Sequence, residues 1–417
     1  MQLKFKIGNE AQYVEVEESR LLAQLESSST EAAGDEQSII KAALSSPIGS
    51  PRLEEIVKPG EKIAIISSDI TRPMPTWKVM PQLLDSLYAA GIRPEDITLY
   101  LALGSHRAHS DEERKKLAGE RAWQEINCTD SNPDDCVRLG FTKRGTPIDI
   151  DRRVASADRR ICLGNVEYHY FAGFSGGAKA IMPGVSTREA IQSNHRFMVQ
   201  DSACAGKLEG NPVREDIEEA AAVVGVDFIL NVVLSTSKEI LYAAAGDVTL
   251  AHRDACAYLD RIYRSPIPER ADIVLVSQGG APKDLNLYQV QKALDNAKHA
   301  VKDGGTIILI GSCREGLGEK TFAQWLTEAE TPHSLIERIQ ADFKLGGHKA
   351  AAIAMVLEKA DIYLVSHMEP DFVKSLFMEP FDSVQAAFDA ALKKQGEKAT
   401  VIAMPYGGST LPVVSNK

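Results

Sequence analysis

Short β-branched runs alternate with amphipathic stretches along this chain, and no other feature limits its fold so tightly. KIAIISS (62–68) has the composition of a buried strand, and TWKVMPQLLDSLYAAG (76–91) follows with helical spacing and a glycine stop at Gly91. DITLYLALG (96–104), RRICLGNV (159–166) and VDFILNVVLS (226–235) continue the series of strands. ADIVLVS (271–277), GTIILIG (305–311), ADIYLVS (360–366) and ATVIAMP (399–405) complete it. Long helical patterns separate most of them. Such alternation predicts an α/β protein with largely parallel sheets. YRSPIPER (263–270) brings two prolines and several charges between a helix and a strand, as a linker does. The expected domains are therefore 1–265 and 271–417, with a last segment able to pack back on the first domain.

A chain of 417 residues suffices for two cores. Its 47 basic and 58 acidic residues leave a net charge of −11, which argues against nucleic acid as a partner. The opening MQLKFKIGNEAQ lacks the apolar centre of a signal peptide, and no apolar run approaches the roughly 20 residues of a membrane span. A cytoplasmic protein without a membrane partner is expected. Its six cysteines are scattered and form no C-x-x-C pair, so they read as reduced thiols rather than a zinc site or disulfide frame.

Sites in open α/β sheets gather at the C-terminal ends of strands. Four chemically rich segments follow predicted strands here. SSDITRPMP (67–75) offers Asp69 and Arg72 in a turn set by Pro73, either a local ion pair or a fork for a carboxylate or phosphate. LGSHRAH (103–109) places His106 after a strand end, where it can serve as an acid or base. HYFAGFSGGAKAIMPG (169–184) admits three readings. GFSGG around Ser175 matches a nucleophile elbow, but Pro183 and Gly184 leave no room for the long helix that motif needs. The glycines and Lys179 resemble a phosphate loop, yet Ala180 follows where Ser or Thr is required. In the third reading, Gly176 and Gly177 let a large ligand approach the backbone while a desolvated Lys179 bonds it covalently. In VSTREAIQSNHRFM (185–198), Ser186 and Glu189 form a capping box, which would put His195 near the far end of a helix. No second His or Cys stands four residues on, so a self-contained zinc site is not supported. In SQGGAPKDLNLYQVQK (277–292), Asp284 or Asn286 can cap a helix on which Gln289 and Lys292 share a face, an arrangement suited to an anion or to solvent.

Taken in order, D-I-T-R-P, G-S-H-R, H-Y-F-A-G-F-S-G-G-A-K-A-I-M-P-G, N-H-R-F and Y-Q-V-Q-K resemble the nickel-dependent lactate racemase family over nearly the whole chain. The H-x9-K-x15-H spacing of His169, Lys179 and His195 is the most specific element. The resemblance implies two α/β domains with an active-site cleft between them. It implies a nickel-pincer nucleotide, a pyridinium-3-thioamide-5-thiocarboxylic acid mononucleotide holding Ni(II), joined to Lys179 and contacted by Ser175, Gly176 and Gly177. His195 becomes the nickel ligand and His106 and His169 the acid/base pair. Hydride would pass from substrate C2 to the cofactor and return on the other face. Asp69, Arg72, Tyr288, Gln289, Lys292 and His348 become substrate residues, with Asp69 orienting Arg72 or a histidine. The implied activity is a racemase or epimerase of 2-hydroxy acids, and the implied partners are the substrate and the proteins that build and insert the cofactor.

FKLGGHKAAAIAMVL (343–357) reads as a glycine turn entering a helix; lactate-specific members of the family carry a tryptophan near His348, and here His348 and Lys349 stand there. Their polarity suits a larger acid such as malate or a sugar acid as well as lactate, and a capping role is the alternative. MPYGGSTLP (404–412) reads as another turn beside the cleft, with Tyr406 able to meet substrate. The competing functions are a serine hydrolase using Ser175 and a non-catalytic carrier or sensor of the nickel nucleotide.

Overall fold

The computed structural model describes residues 1–26, 34–235 and 237–415. It separates into two compact units, Ser29–Ile262 and a second made of Met1–Ser28 with Tyr263–Lys417. The sequence division placed the first residues in the N-terminal domain. The structure puts them with the C-terminal unit, because Leu21–Gln24 pairs in parallel with Val401–Met404 as an edge strand. In the same unit, Gln2–Ile7 and Glu10–Glu15 form a hairpin whose Leu3, Phe5 and Ile7 alternate into that core. The linker stretch is itself ordered: Arg264–Ile267 pairs with Leu411–Val414. That pairing places the chain's last strand in the second unit.

The unit Ser29–Ile262 is built on six strands in the spatial order Ile240–Gly246, Phe228–Leu234, Arg159–Val166, Ile63–Ser68, Ile97–Ala102, Asn127–Asp130. All neighbours are parallel except the first pair. The central strand Ile63–Ser68 is buried almost throughout, since helices cover both faces of such a sheet and leave no polar side. Helix Thr76–Ala89 covers one face with Val79, Met80, Leu83, Leu84 and Leu87. The chain grows one way from Ile63–Ser68 to Ile97–Ala102 and then the other way to Arg159–Val166. The reversal makes a topological switch point between Ile63–Ser68 and Arg159–Val166, the place where such sheets bind ligands.

The second unit carries six parallel strands in the order Glu379–Phe381, Asp361–Val365, Val301–Ile310, Ala271–Ser277, Val401–Met404, Leu21–Gln24. Its switch point lies between Ala271–Ser277 and Val401–Met404. Gly279 and Tyr406 follow those two strands, and a Cβ on Gly279 would stand 2.9 Å from the Tyr406 ring. Tyr406 remains 39% exposed there. Among the described residues no helix is long and apolar enough to cross a membrane.

Candidate active site

Asp69 directly follows the central strand of the first unit, and His106 follows the neighbouring strand. Their side chains meet: His106 Nδ1 lies 2.8 Å from Asp69 Oδ2. A carboxylate only accepts, so Nδ1 carries a proton and Nε2 is the ring nitrogen that bond leaves over. Burial pushes the Asp69 carboxyl upward, but bonds from His106 and Thr71 and the charge of Arg72 outweigh it and hold the group below its ordinary range. Asp69 therefore orients the histidine, one of the two roles the sequence left open. The turn is fixed from beneath by His109, whose Nε2 accepts from the Ile70 N–H at 3.1 Å and whose Nδ1 donates to Asp130 at 2.7 Å. Both nitrogens of that buried histidine are thus spent on structure.

On the other side of the switch point, Arg159–Val166 runs into the stretch 169–184. Tyr168–His169 and Gly173–Phe174 form a two-residue ladder that turns the chain back. Phe171 sits at the tip, 3% exposed, and the predicted chemical groups surround its ring. His169 meets it edge-on at 4.5 Å between centroids, His195 at 4.9 Å, and Lys179 Nζ lies 5.9 Å from its centre. One phenyl ring thus joins the histidine, lysine and histidine of the sequence spacing. Asn211 caps helix Pro212–Val224 and donates to the Phe171 carbonyl at 2.8 Å. Arg214, fully buried on that helix, donates Nε to Ala172 O at 3.1 Å and Nη2 to Phe174 O.

His169 Nδ1 accepts from the Ala172 N–H at 3.3 Å, which leaves the ring proton on Nε2. Burial foremost, then Lys179 and Arg72, keeps the ring well below its ordinary value, so it is neutral near pH 7. Lys179 lies on the turn Gly177–Ala180. Burial and then the charges of Arg72 and Arg214 push its amine far down, against the opposing pull of Glu167. His195 ends helix Arg188–His195. Its Nδ1 is 3.0 Å from Asn194 Oδ1, while Asn194 Nδ2 donates to Val213 O and Asp216. That chain of donors puts a His195 proton on Nδ1.

Three expectations from the sequence are corrected. The helix before His195 is capped by Thr187, one residue later than expected, whose side chain accepts from Ala190 N. Ser186 instead donates to Ile181 O at 3.0 Å, and Glu189 pairs with Arg138. The glycines of the lysine loop admit protein. A Cβ on Gly176 would stand 2.8 Å from Asn231 Oδ1, and one on Gly177, at φ +58°, would stand 2.8 Å from the His252 ring. Finally, the Ser175 hydroxyl donates to Asn165 O at 2.7 Å and accepts from Glu167 N at 2.9 Å. It is a 6%-exposed staple of the loop, and His252 bonds the Ser175 carbonyl oxygen at 2.8 Å. The nucleophile reading therefore has no activated hydroxyl behind it.

The remaining predicted residues lie in the second unit. Helix Leu287–Ala297 is capped by Asn286, whose side chain accepts from Gln289 N at 3.1 Å. Asp284, the other candidate cap, instead accepts from Gly8 N at 2.7 Å and Ser312 N at 3.0 Å. Tyr288, Gln289 and Lys292 occupy the first turns, with Lys292 exposed. Burial raises the Tyr288 phenol above its ordinary value. His348 is buried at the start of helix Gly347–Leu357, and its Nδ1 accepts from Gly346 N at 3.0 Å, a local cap.

Asn211, Arg214, Asn231, His252 and Phe171 were not singled out from the sequence. An Asn-Pro helix start marks Asn211; the others act across the fold and leave no local signature.

Comparison with known proteins gives the class and then the family. The Lactate racemase N-terminal domain family matches residues 7–206, and the Lactate racemase C-terminal domain family matches residues 267–412. A lactate racemase of Thermoanaerobacterium thermosaccharolyticum is 32% identical over 90% of each chain, and one of Lactiplantibacillus plantarum is 33% identical over 89% of this chain and 90% of that one. The lactate racemase apoprotein structure from T. thermosaccharolyticum superposes with a TM-score of 0.86 at 29% identity, covering 100% of both chains. A Thermotoga maritima protein shares the fold alone, at a TM-score of 0.62 and 20% identity over 92% of this chain and 99% of that one. The protein is an isomerase of the racemase class. More narrowly, it belongs to the lactate racemase family.

Proposed function

We propose that the chain racemises or epimerises a 2-hydroxy acid, lactate or a larger acid such as malate or a sugar acid, with a nickel-pincer nucleotide tethered to Lys179. The observation that carries the reading is the grouping of His169, Lys179 and His195 around Phe171. The residues suit such a group. Thioamide formation consumes a neutral amine, and Lys179 is held toward that form. His195 offers Nε2 to a metal, and among the described residues no cluster of three His, Cys, Asp or Glu side chains is placed to hold one. A single protein nitrogen fits a metal whose other ligands belong to the nucleotide, and sulfur with imidazole suits Ni(II).

When bound, the group would supply hydride-transfer chemistry at substrate C2. The protein handles the proton and the substrate's position. His106 Nε2 takes the hydroxyl proton, and Asp69 stabilises the charge that appears on the ring. His169 is the second histidine assigned to proton exchange with the substrate oxygen, on the opposite face. Arg72, Gln289 and Lys292 hold the carboxylate while C2 inverts, with Tyr288 and His348 lining the substrate. The same reading makes the chain cytoplasmic and a client of the proteins that build and insert the cofactor.

The test uses protein produced with those enzymes and single enantiomers of 2-deuterated lactate and malate. Racemisation with the C2 label retained supports the reading. Wash-out of the label into solvent points to proton abstraction at C2 and contradicts it. Loss of racemisation in a His106→Ala/His169→Ala variant that still carries nickel excludes the carrier or sensor function.

A further inference from the structure

A second histidine–carboxylate pair stands beside Asp69 and His106. His109 lies between strand Ile97–Ala102 and helix Asp111–Ala118, with its side chain 1% exposed. Asp130 ends the neighbouring strand Asn127–Asp130 and grips this histidine twice, accepting from its backbone N–H at 2.8 Å and from its Nδ1 at 2.7 Å. Arg114 closes the group: its Nη1 donates to the His109 carbonyl at 3.1 Å and reaches Asp130 Oδ2 at 3.4 Å. With Nδ1 donating, Nε2 is left to accept from the Ile70 N–H at 3.1 Å, in the turn that follows Ile63–Ser68.

That bond is the turn's tie to the rest of the unit. Ile70, Thr71 and Arg72 are all exposed, so burial does not anchor the backbone there. Among the described residues no other group from outside the turn hydrogen-bonds the backbone of residues 70–72. The Ile70 N–H belongs to the planar peptide unit that joins Asp69 to Ile70, so holding it fixes the backbone from which the Asp69 side chain springs. Asp69 Oδ2 in turn meets His106 Nδ1 at 2.8 Å. A leucine would fill the buried position of His109 with no polar atoms to satisfy. An imidazole is useful there because it gives a donor to Asp130 and an acceptor to Ile70 at once.

We propose that His109 is a positioning residue for proton transfer: through the Ile70 N–H it sets Asp69, and through Asp69 it sets the His106 ring. The proposal rests on the racemase reading above, which assigns the substrate's hydroxyl proton to His106.

Two variants divide the bonds of His109. In His109→Asn the amide nitrogen stands near the place of Nδ1 and keeps the bond to Asp130. In His109→Gln the amide oxygen reaches toward the place of Nε2 and keeps the bond from Ile70. Both are produced with the cofactor, and kcat for lactate and malate, nickel content and melting temperature are measured on the same samples. The charge-assisted bond to Asp130 is the stronger, so His109→Asn should melt above His109→Gln. Activity should run the other way, with kcat about 10- to 100-fold below wild type in His109→Asn and within about threefold of it in His109→Gln, at equal nickel content. A kcat that follows the melting temperature, or one that is the same in both variants, overturns the proposal and leaves the racemase reading standing. Absence of racemisation of either acid by the wild type overturns that reading and the proposal with it. Should neither variant fold, Asp130→Asn decides, because it loosens the hold on the His109 ring: a kcat lowered by about threefold or more, well below the melting temperature, supports the proposal, and an unchanged kcat overturns it.

Discussion

Replacing Asp69 by Asn isolates the contribution of one bond to proton transfer. Asp69 is 4% exposed, and its Oδ2 accepts from His106 Nδ1 at 2.8 Å. Asn keeps the shape and an acceptor oxygen but removes the charge that steadies His106 once its Nε2 has taken a proton. A charge-assisted hydrogen bond of this kind contributes about 1.5–3 kcal/mol. The His106 side chain is 26% exposed, so solvent shares in stabilising the ring and the lower half of that range applies. A loss of about 1.5–2 kcal/mol corresponds to a fall in kcat of about 10- to 30-fold. KM should change little, because Asn keeps an acceptor for His106 Nδ1 and the ring stays in place. Racemisation in both directions is followed by chiral chromatography, with nickel content measured on the same samples. Asp69→Asn protein with normal nickel and an unreduced kcat would refute the coupling of Asp69 to His106 in catalysis.

Arg214→Met should lower thermal stability by about 2–4 kcal/mol, because the carbonyls of Ala172 and Phe174 lose their donor in a buried loop; calorimetry of the unloaded protein measures it. Gly177→Ala forces a Cβ to 2.8 Å from His252 at φ +58°, and a stability loss of about 1–3 kcal/mol with reduced cofactor loading is expected. Ser175→Ala removes a staple and no nucleophile, so cofactor attachment and racemisation should persist while stability falls by about 1 kcal/mol. The depressed Lys179 amine gives the unloaded protein a pH signature. Below the ordinary value of 10.5 the unfolded chain takes up a proton that the folded chain refuses, so folding weakens as pH falls. As pH falls below 10.5, wild type should lose stability relative to Lys179→Met, read from urea midpoints.

The central strands of both sheets were legible because a strand covered on both faces must be apolar throughout, as in Ile63–Ser68 and Ala271–Ser277. Their C-terminal ends located Asp69, His106 and the 169–184 stretch for the same reason. The hairpin Gln2–Ile7 with Glu10–Glu15 and the edge strand Leu21–Gln24 were missed. At most every second residue of these strands is buried, and the edge strand's pairing with Val401–Met404 spans nearly the whole chain. The glycines were misread because a sequence shows that a backbone is bare without showing what presses against it. At Gly176 it is Asn231, and at Gly177 it is His252, both far along the chain. Phe171 carries no local signature in the sequence, and only the fold makes it the shared neighbour of three chemical groups.

Intact mass with nickel analysis tests the central claim most directly, on wild type and Lys179→Ala produced beside active cofactor-building enzymes. The account predicts a nickel-bearing covalent adduct on the wild type that is absent from Lys179→Ala. An adduct that survives in the variant, or a wild type that stays unmodified while a known acceptor in the same cells is loaded, would contradict it.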